Sequence, residues 1–102
     1  MLIQKGGCVY MLTTMDHTAI YIGVTSDLQH RIIDHQNKIY PKSFTARYNC
    51  TKLVWYETFP QIEEAIDREK HLKAGNRAKK IKLIESINPQ WKDLWEEDVK
   101  NW

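Results

Sequence analysis

The chain has 102 residues, 42% hydrophobic and 27% charged, as in an ordinary globular domain with one modest core. Fifteen Lys and Arg against thirteen Asp and Glu leave a net charge of +2, too little to name a partner by charge alone. No apolar run approaches the ~18 residues of a membrane-spanning helix. Met1–Gly7 lacks the shape of a secretory signal. Cys8 and Cys50 have no metal-ligand spacing, so a cytoplasmic protein with thiols rather than a disulfide is expected.

Cys8 to Met15 is apolar and β-prone and predicts a buried strand. The polar break Met15-Asp16-His17-Thr18 predicts a hairpin into a second strand, Ala19 to Val24, rich in β-branched and aromatic residues. A helix follows from about Asp27 to Lys38, with Ser26 as N-cap and Gln29 completing a capping box. Its apolar side carries Ile32 and Ile39, with His35 between them and Arg31 at the edge. Pro41 disfavours helix at Tyr40 and ends it. The basic, aromatic segment Phe44 to Asn49 reads as a loop. Lys52 to Thr58 reads as a third strand, with Leu53 and Trp55 in alternation. Pro60 separates it from a helix, Gln61 to Ala74, closed by Gly75. Asn76 caps a helix from Arg77 to Ile87, and Asn88-Pro89 has the N-cap and N1 chemistry of a last short helix, Gln90 to Glu97. The order β-β-α-β-α-α-α predicts one α/β (α+β) domain, a three-stranded, mostly antiparallel sheet flanked by helices.

Two features exceed what packing requires. The second strand and the helix after it turn Tyr21, Arg31 and His35 towards the interior. In the Gln61–Ala74 helix, at about 100° per residue, Glu69 falls near the centre of the arc made by Ile62, Ala65, Ile66 and Leu72. A carboxylate there must be paired, hydrogen-bonded or metal-bound. Each feature alone has a structural explanation. Strand tyrosines commonly reach solvent with their hydroxyls, an interior histidine is commonly just satisfied, and Glu69 could pair with an arginine such as Arg31. Lys79-Lys80-Ile81-Lys82 suits a solvated helix face, and Trp91 and Trp95 suit closure of the core. Taken together, Tyr10, Tyr21, Arg31, His35 and Glu69 supply a hard anionic ligand, a cationic clamp and a proton acceptor, as metal-assisted phosphate chemistry requires.

These residues carry a family resemblance. Cys8-Val9-Tyr10 and Tyr21-Ile22-Gly23, followed by Asp27-Leu28, Arg31, His35, Phe44-Thr45, Leu53-Val54, Ala65-Ile66-Asp67-Arg68-Glu69, Lys73 and the run Asn88 to Leu94, resemble the small stand-alone GIY-YIG nuclease domains of bacteria. The resemblance implies a divalent-metal-dependent endonuclease that hydrolyses phosphodiester bonds in nucleic acid, DNA before RNA, with repair as the implied setting. It implies Glu69 as ligand to one Mg²⁺ or Mn²⁺, Tyr21 as the group that activates or orients water with Tyr10 alongside, Arg31 as the phosphate clamp and His35 as a second candidate base. It places Gly23, Arg47, Lys73, Arg77 and Asn88 at the substrate, with Lys42 and Lys79 on the same basic rim. Cys8 departs from the first glycine of the family's name, and Val24 stands where some relatives carry lysine.

The implied partner is nucleic acid and not a membrane, and the small size leaves room for a homodimer or a recruiting protein. The alternatives are a catalytically weak or inactive nucleic-acid-binding module on the same fold and, third, a protein-interaction domain. The expected geometry is one cleft: two helices aim Tyr10, Tyr21, Arg31, His35 and Glu69 at one sheet face. A structure with Glu69 on the opposite side of the sheet from Tyr21 would sink the catalytic reading of that one-face cleft.

Overall fold

Seven consecutive buried residues, Gly7–Thr13, form the central strand β1 of a computed structural model that describes residues 6–102. The reading of residues 1–5 as no signal segment lies outside the described residues. β1 pairs antiparallel with β2 (Ile20–Thr25) on one side and with β3 (Lys52–Phe59) on the other, giving the order β2-β1-β3. Being covered on both faces, β1 reads as a continuous apolar run and not as an alternation. Cys8, Tyr10 and Leu12 face one layer, where Leu28 and Ile32 of α1 (Leu28–Gln36) and Val99 pack. Val9 and Met11 face the other, where Ala65 of α3 (Ile62–Ala74) and Ile84 of α4 (Arg77–Ile87) pack. This is the three-stranded antiparallel α+β sheet with flanking helices that the order of elements predicts. Among the described residues no helix is long and apolar enough to cross a membrane. Cys8 and Cys50 are both buried thiols.

Several local readings differ. In β3 a bulge opposite Met11 and Leu12 makes Leu12 pair with Leu53 and Met11 with Trp55, leaving Val54 extra. Leu53 therefore packs with Tyr10, while Val54 and Trp55 both pack with Met11, and the simple alternation of Leu53 and Trp55 fails. At the start of α1 the cap is Asp27, whose carboxylate accepts from the His30 N–H at 3.1 Å. Gln29 closes no capping box with Ser26; its amide lies 3.2–3.3 Å from the carbonyls of Val99, Lys100 and Trp102. α1 stops at Gln36, and Lys38 takes a φ of 50°, so Ile39 lies outside the helix and is 48% exposed. The segment read as a loop contains a short helix, α2 (Phe44–Arg47), capped by Ser43.

The last helix also starts later, at α5 (Leu94–Glu97), capped by Asp93 and followed by a 3₁₀ turn at Val99–Asn101. Asn88 does not begin it. Asn88 ends α4, is 5% exposed, donates from Nδ2 to the Val54 and Lys92 carbonyls at 3.0 and 2.9 Å, and accepts from the Lys92 N–H at 3.0 Å. These bonds tie β3 to a loop in which Trp91 holds a φ of 53°. Asn88→Ala would strand buried backbone groups, and urea unfolding should show a loss of about 2–4 kcal/mol. A loss under about 0.5 kcal/mol would remove Asn88 from this structural role.

Candidate functional site

The β1–β2 register sets Tyr10 opposite Gly23 and Leu12 opposite Tyr21, so the two tyrosines lie diagonally on one face, as expected. A Cβ on Gly23 would stand 2.4 Å from both Cζ and Oη of Tyr10. The missing side chain leaves space for the Tyr10 ring to cross β2. Gly23, expected at the substrate, is buried beneath that ring and makes room for it. The ring carries Tyr10 Oη to 2.8 Å from His35 Nε2. The other ring nitrogen, Nδ1, lies 2.9 Å from Thr45 Oγ1, and Thr45 Oγ1 lies 3.3 Å from Ser43 Oγ. Tyr21 covers this chain, its ring centroid 6.2 Å from that of Tyr10 and 5.6 Å from that of His35.

Burial shapes the charge states. Tyr10 is 1% exposed, and burial, then the neighbouring Tyr21 phenol, push its pKa far above the ordinary tyrosine range, against the pull of Arg31. Tyr10 therefore keeps its proton. Burial, then the Arg31 cation, hold His35 below the usual histidine range, so its imidazole is neutral at pH 7. Arg31, one turn before His35 on α1, thus acts on both groups through its charge. Among the described residues no carboxylate forms an ion pair with this partly buried guanidinium.

Both nitrogens of His35 are engaged and Tyr10 is sealed from solvent, so neither meets a water directly. Tyr21 does face open space. With Ile20, Ile22, Phe44, Lys73 and Lys80 it lines a cavity of ≈ 290 Å³ at the β2 edge of the sheet.

Glu69 corrects the expected geometry. Its helix, α3, packs on the opposite face of the sheet from Tyr10, Tyr21 and α1, through Ile62, Ala65 and Leu72. A cleft on a single face is therefore absent for this set, and the one-face catalytic geometry falls with it. The Glu69 side chain is 15% exposed and pairs with Lys73 at 3.3 Å, not with Arg31. Lys73 in turn lines the β2-edge cavity beside Tyr21. The two layers meet around an edge strand. Among the described residues no three His, Cys, Asp or Glu side chains are grouped to hold a metal.

The remaining candidates divide. Arg47 is exposed on α2 with its guanidinium 5.9 Å from the Tyr48 ring centroid. Arg77 donates to the His17 carbonyl at the hairpin turn. Lys42 and Lys79 are exposed. Asn88 lies against β3, the far edge strand from Tyr21, and its side-chain bonds are spent on backbone, so the expectation of Asn88 at the substrate is corrected. Two neighbours had no assigned role in the sequence reading: Thr45, which holds His35, and Phe44, whose ring lies 6.2 Å from that of Tyr21. The Ser43 cap was the available signal, since a helix there turns Thr45 inward.

Comparison with known proteins identifies the family. Residues 6–82 match the model of the GIY-YIG catalytic domain. The chain is 36% identical over 76 residues to a UPF0213 protein of Staphylococcus saprophyticus, covering 74% of this chain and 90% of that one. It is 37% identical over 78 residues to a UPF0213 protein of Clostridium perfringens, covering 76% and 82%. The solution NMR structure of a UPF0213 protein from Bacillus halodurans superposes with a TM-score of 0.55 at 27% identity, over 90% of this chain and 96% of that one. With the two signature strands side by side and Tyr10, Gly23 and Tyr21 locked together across them, the chain belongs to the GIY-YIG catalytic-domain family.

Proposed function

We propose that the β2-edge site hydrolyses phosphodiester bonds in nucleic acid, DNA before RNA, with Tyr21 at the attacking water. The observation that carries this reading is the hydrogen-bonded chain Thr45–His35–Tyr10 beneath Tyr21. With His35 neutral, the tautomer protonated on Nε2 donates to Tyr10 Oη and leaves the Tyr10 proton free to point at Tyr21. Tyr10 then stabilises negative charge on the Tyr21 oxygen, and Arg31, in no ion pair among the described residues, adds a cation. A phenol near pKa ~10 becomes a useful base only with such support. Tyr10, His35 and Thr45 are positioning residues in this reading. Arg31 also clamps the phosphate as charge builds in the transition state.

Glu69 is the proposed metal ligand. One partly buried carboxylate fits Mg²⁺ or Mn²⁺ that keeps waters and phosphate oxygens in its shell, and does not fit an ion caged by protein alone. The bound ion would supply Lewis-acid stabilisation of the phosphate. Lys73 then exchanges Glu69 for a phosphate oxygen, and Arg47, Arg77, Lys42 and Lys79 extend the basic rim. The placement of α3 across the sheet favours one alternative, a nucleic-acid-binding module with weak or no cleavage. Incubating the protein with labelled single-stranded, duplex and branched substrates, with Mn²⁺ and with chelator, separates the two.

Three outcomes follow. Tyr21→Phe should lower metal-dependent cleavage by about 10²–10⁴-fold, the usual worth of a positioned proton-transfer group; cleavage within threefold of wild type would dismiss Tyr21 as the group at the water. The pKa of His35 is depressed in the fold, so its contribution to stability is full above about pH 6.5 and is lost as pH falls below it. Melting temperature and cleavage should therefore both fall as the pH drops below about 6.5. His35→Gln should flatten the stability part of that fall, and an unchanged profile in this variant would refute the assignment. Binding to the rim should weaken steeply with salt and vary little with base-paired sequence; salt-independent binding would point to a different partner.

A further inference from the structure

Beyond the cavity at Tyr21, a line of aromatic rings leads away across α2. Phe44 stacks on Tyr21 with ring planes 24° apart, and Tyr48 follows with its centroid 4.7 Å from that of Phe44. Neither Phe44 nor Tyr48 is needed to fill a core: they are 45% and 50% exposed. Cations stand among them. The Arg47 guanidinium lies over the Tyr48 ring, and Lys38 is bonded to Asn49 beside it. Past Tyr48 the line opens into a groove of ≈ 790 Å³ between this loop and the β1–β2 turn. Its one carboxylate, Asp16, accepts from the Thr14 and Thr18 hydroxyls within the β1–β2 turn.

We infer that Phe44 and Tyr48 form a stacking platform for unpaired nucleobases next to the phosphate held at Tyr21. This rests on the proposed nuclease reading and names its substrate class: strands with unpaired nucleotides, whether single-stranded, flapped or bulged. Exposed rings in sequence, flanked by cations that can follow a phosphate backbone, are the two components of sequence-tolerant single-strand binding. A protein partner would suit the exposed rings equally but gives no reason for Arg47, Lys38 and Lys73 to be set between and beside them. In a continuous duplex the bases are stacked on each other and have no free face to offer these rings.

The test measures binding in chelator of two short single strands, one with all its bases and one with abasic nucleotides at its centre. Wild type should prefer the base-bearing strand by roughly tenfold or more, within the range of base–aromatic stacking. Phe44→Ala or Tyr48→Ala should abolish that preference, chiefly by weakening the base-bearing strand, and Tyr48→Trp should keep it. No preference in wild type, or equal weakening on both strands in the alanine variants, would overturn the platform. Cleavage with Mn²⁺ in the same preparation keeps the two ideas apart. Cleavage without base preference removes the platform and leaves the nuclease reading. Base preference without cleavage keeps the platform on a binding module. Absence of binding to either strand overturns the platform, and cleavage of duplex or branched substrate with Mn²⁺ then decides the nuclease reading separately.

Discussion

A missing side chain at Gly23 is the constraint on which the site depends. The Tyr10 ring occupies the space a Cβ would need, 2.4 Å from where that atom would stand. With any other residue at 23 the ring must lift off β2, and its hydroxyl leaves the 2.8 Å bond to His35. The bond matters because Tyr10 is buried, and a buried hydroxyl without a partner carries its full desolvation cost. Packing, hydrogen bonding and the polarity of the site thus share one backbone position. The rule applies to the fold first: β1 is covered on both faces, so its polar atoms need partners inside the protein, and among the described residues the buried Thr13 hydroxyl is the one side-chain group left without one.

The second consequence is where the chemistry can happen. α1 covers one face of the sheet and α3 the other, so neither face is open. The edge of β2 is the place where side chains from both layers approach a common cavity: Tyr21 from one, Ile20 and Ile22 from the other, and Lys73 from α3. An edge strand is normally a liability because its backbone groups are unpaired. Here it is flanked by Phe44 of α2 and by lysines, which leaves it accessible to an anionic strand and unattractive to another sheet.

The architecture was legible in the sequence because strong local signals agreed. The β-branched run at Ile20–Thr25, Pro60 before α3 and Asn76 before α4 each mark an element that the structure contains. What was missed depends on distant partners. Gln29 looks like half of a capping box, yet the carbonyls near Trp102 are stronger competitors for its amide than a helix start already satisfied by Asp27. Asn88 looks like an N-cap, but buried carbonyls on β3 claim it. Helical periodicity placed Glu69 correctly on the sheet-facing side of α3 and could not say which face of the sheet that was. That depends on the crossover from β3, which periodicity does not encode. Tyr10, Tyr21, Arg31 and His35 were found together because they lie on adjacent elements, with one register and one helix phase connecting them.

Glu69 is where architecture and chemistry separate most cleanly. Its ion pair with Lys73 is an i,i+4 contact to a half-exposed lysine, an arrangement worth little to the fold, of order 0.3–0.5 kcal/mol. A carboxylate kept on a largely apolar face for so small a return is explained if it holds a cation during cleavage. Glu69→Gln, followed by melting and by cleavage of one labelled strand, each with Mn²⁺ and with chelator, puts this to the test. The account predicts a melting temperature in chelator at or above that of wild type, together with loss of the metal-dependent cleavage. Cleavage that survives the substitution, or a large drop in melting temperature in chelator, would contradict it.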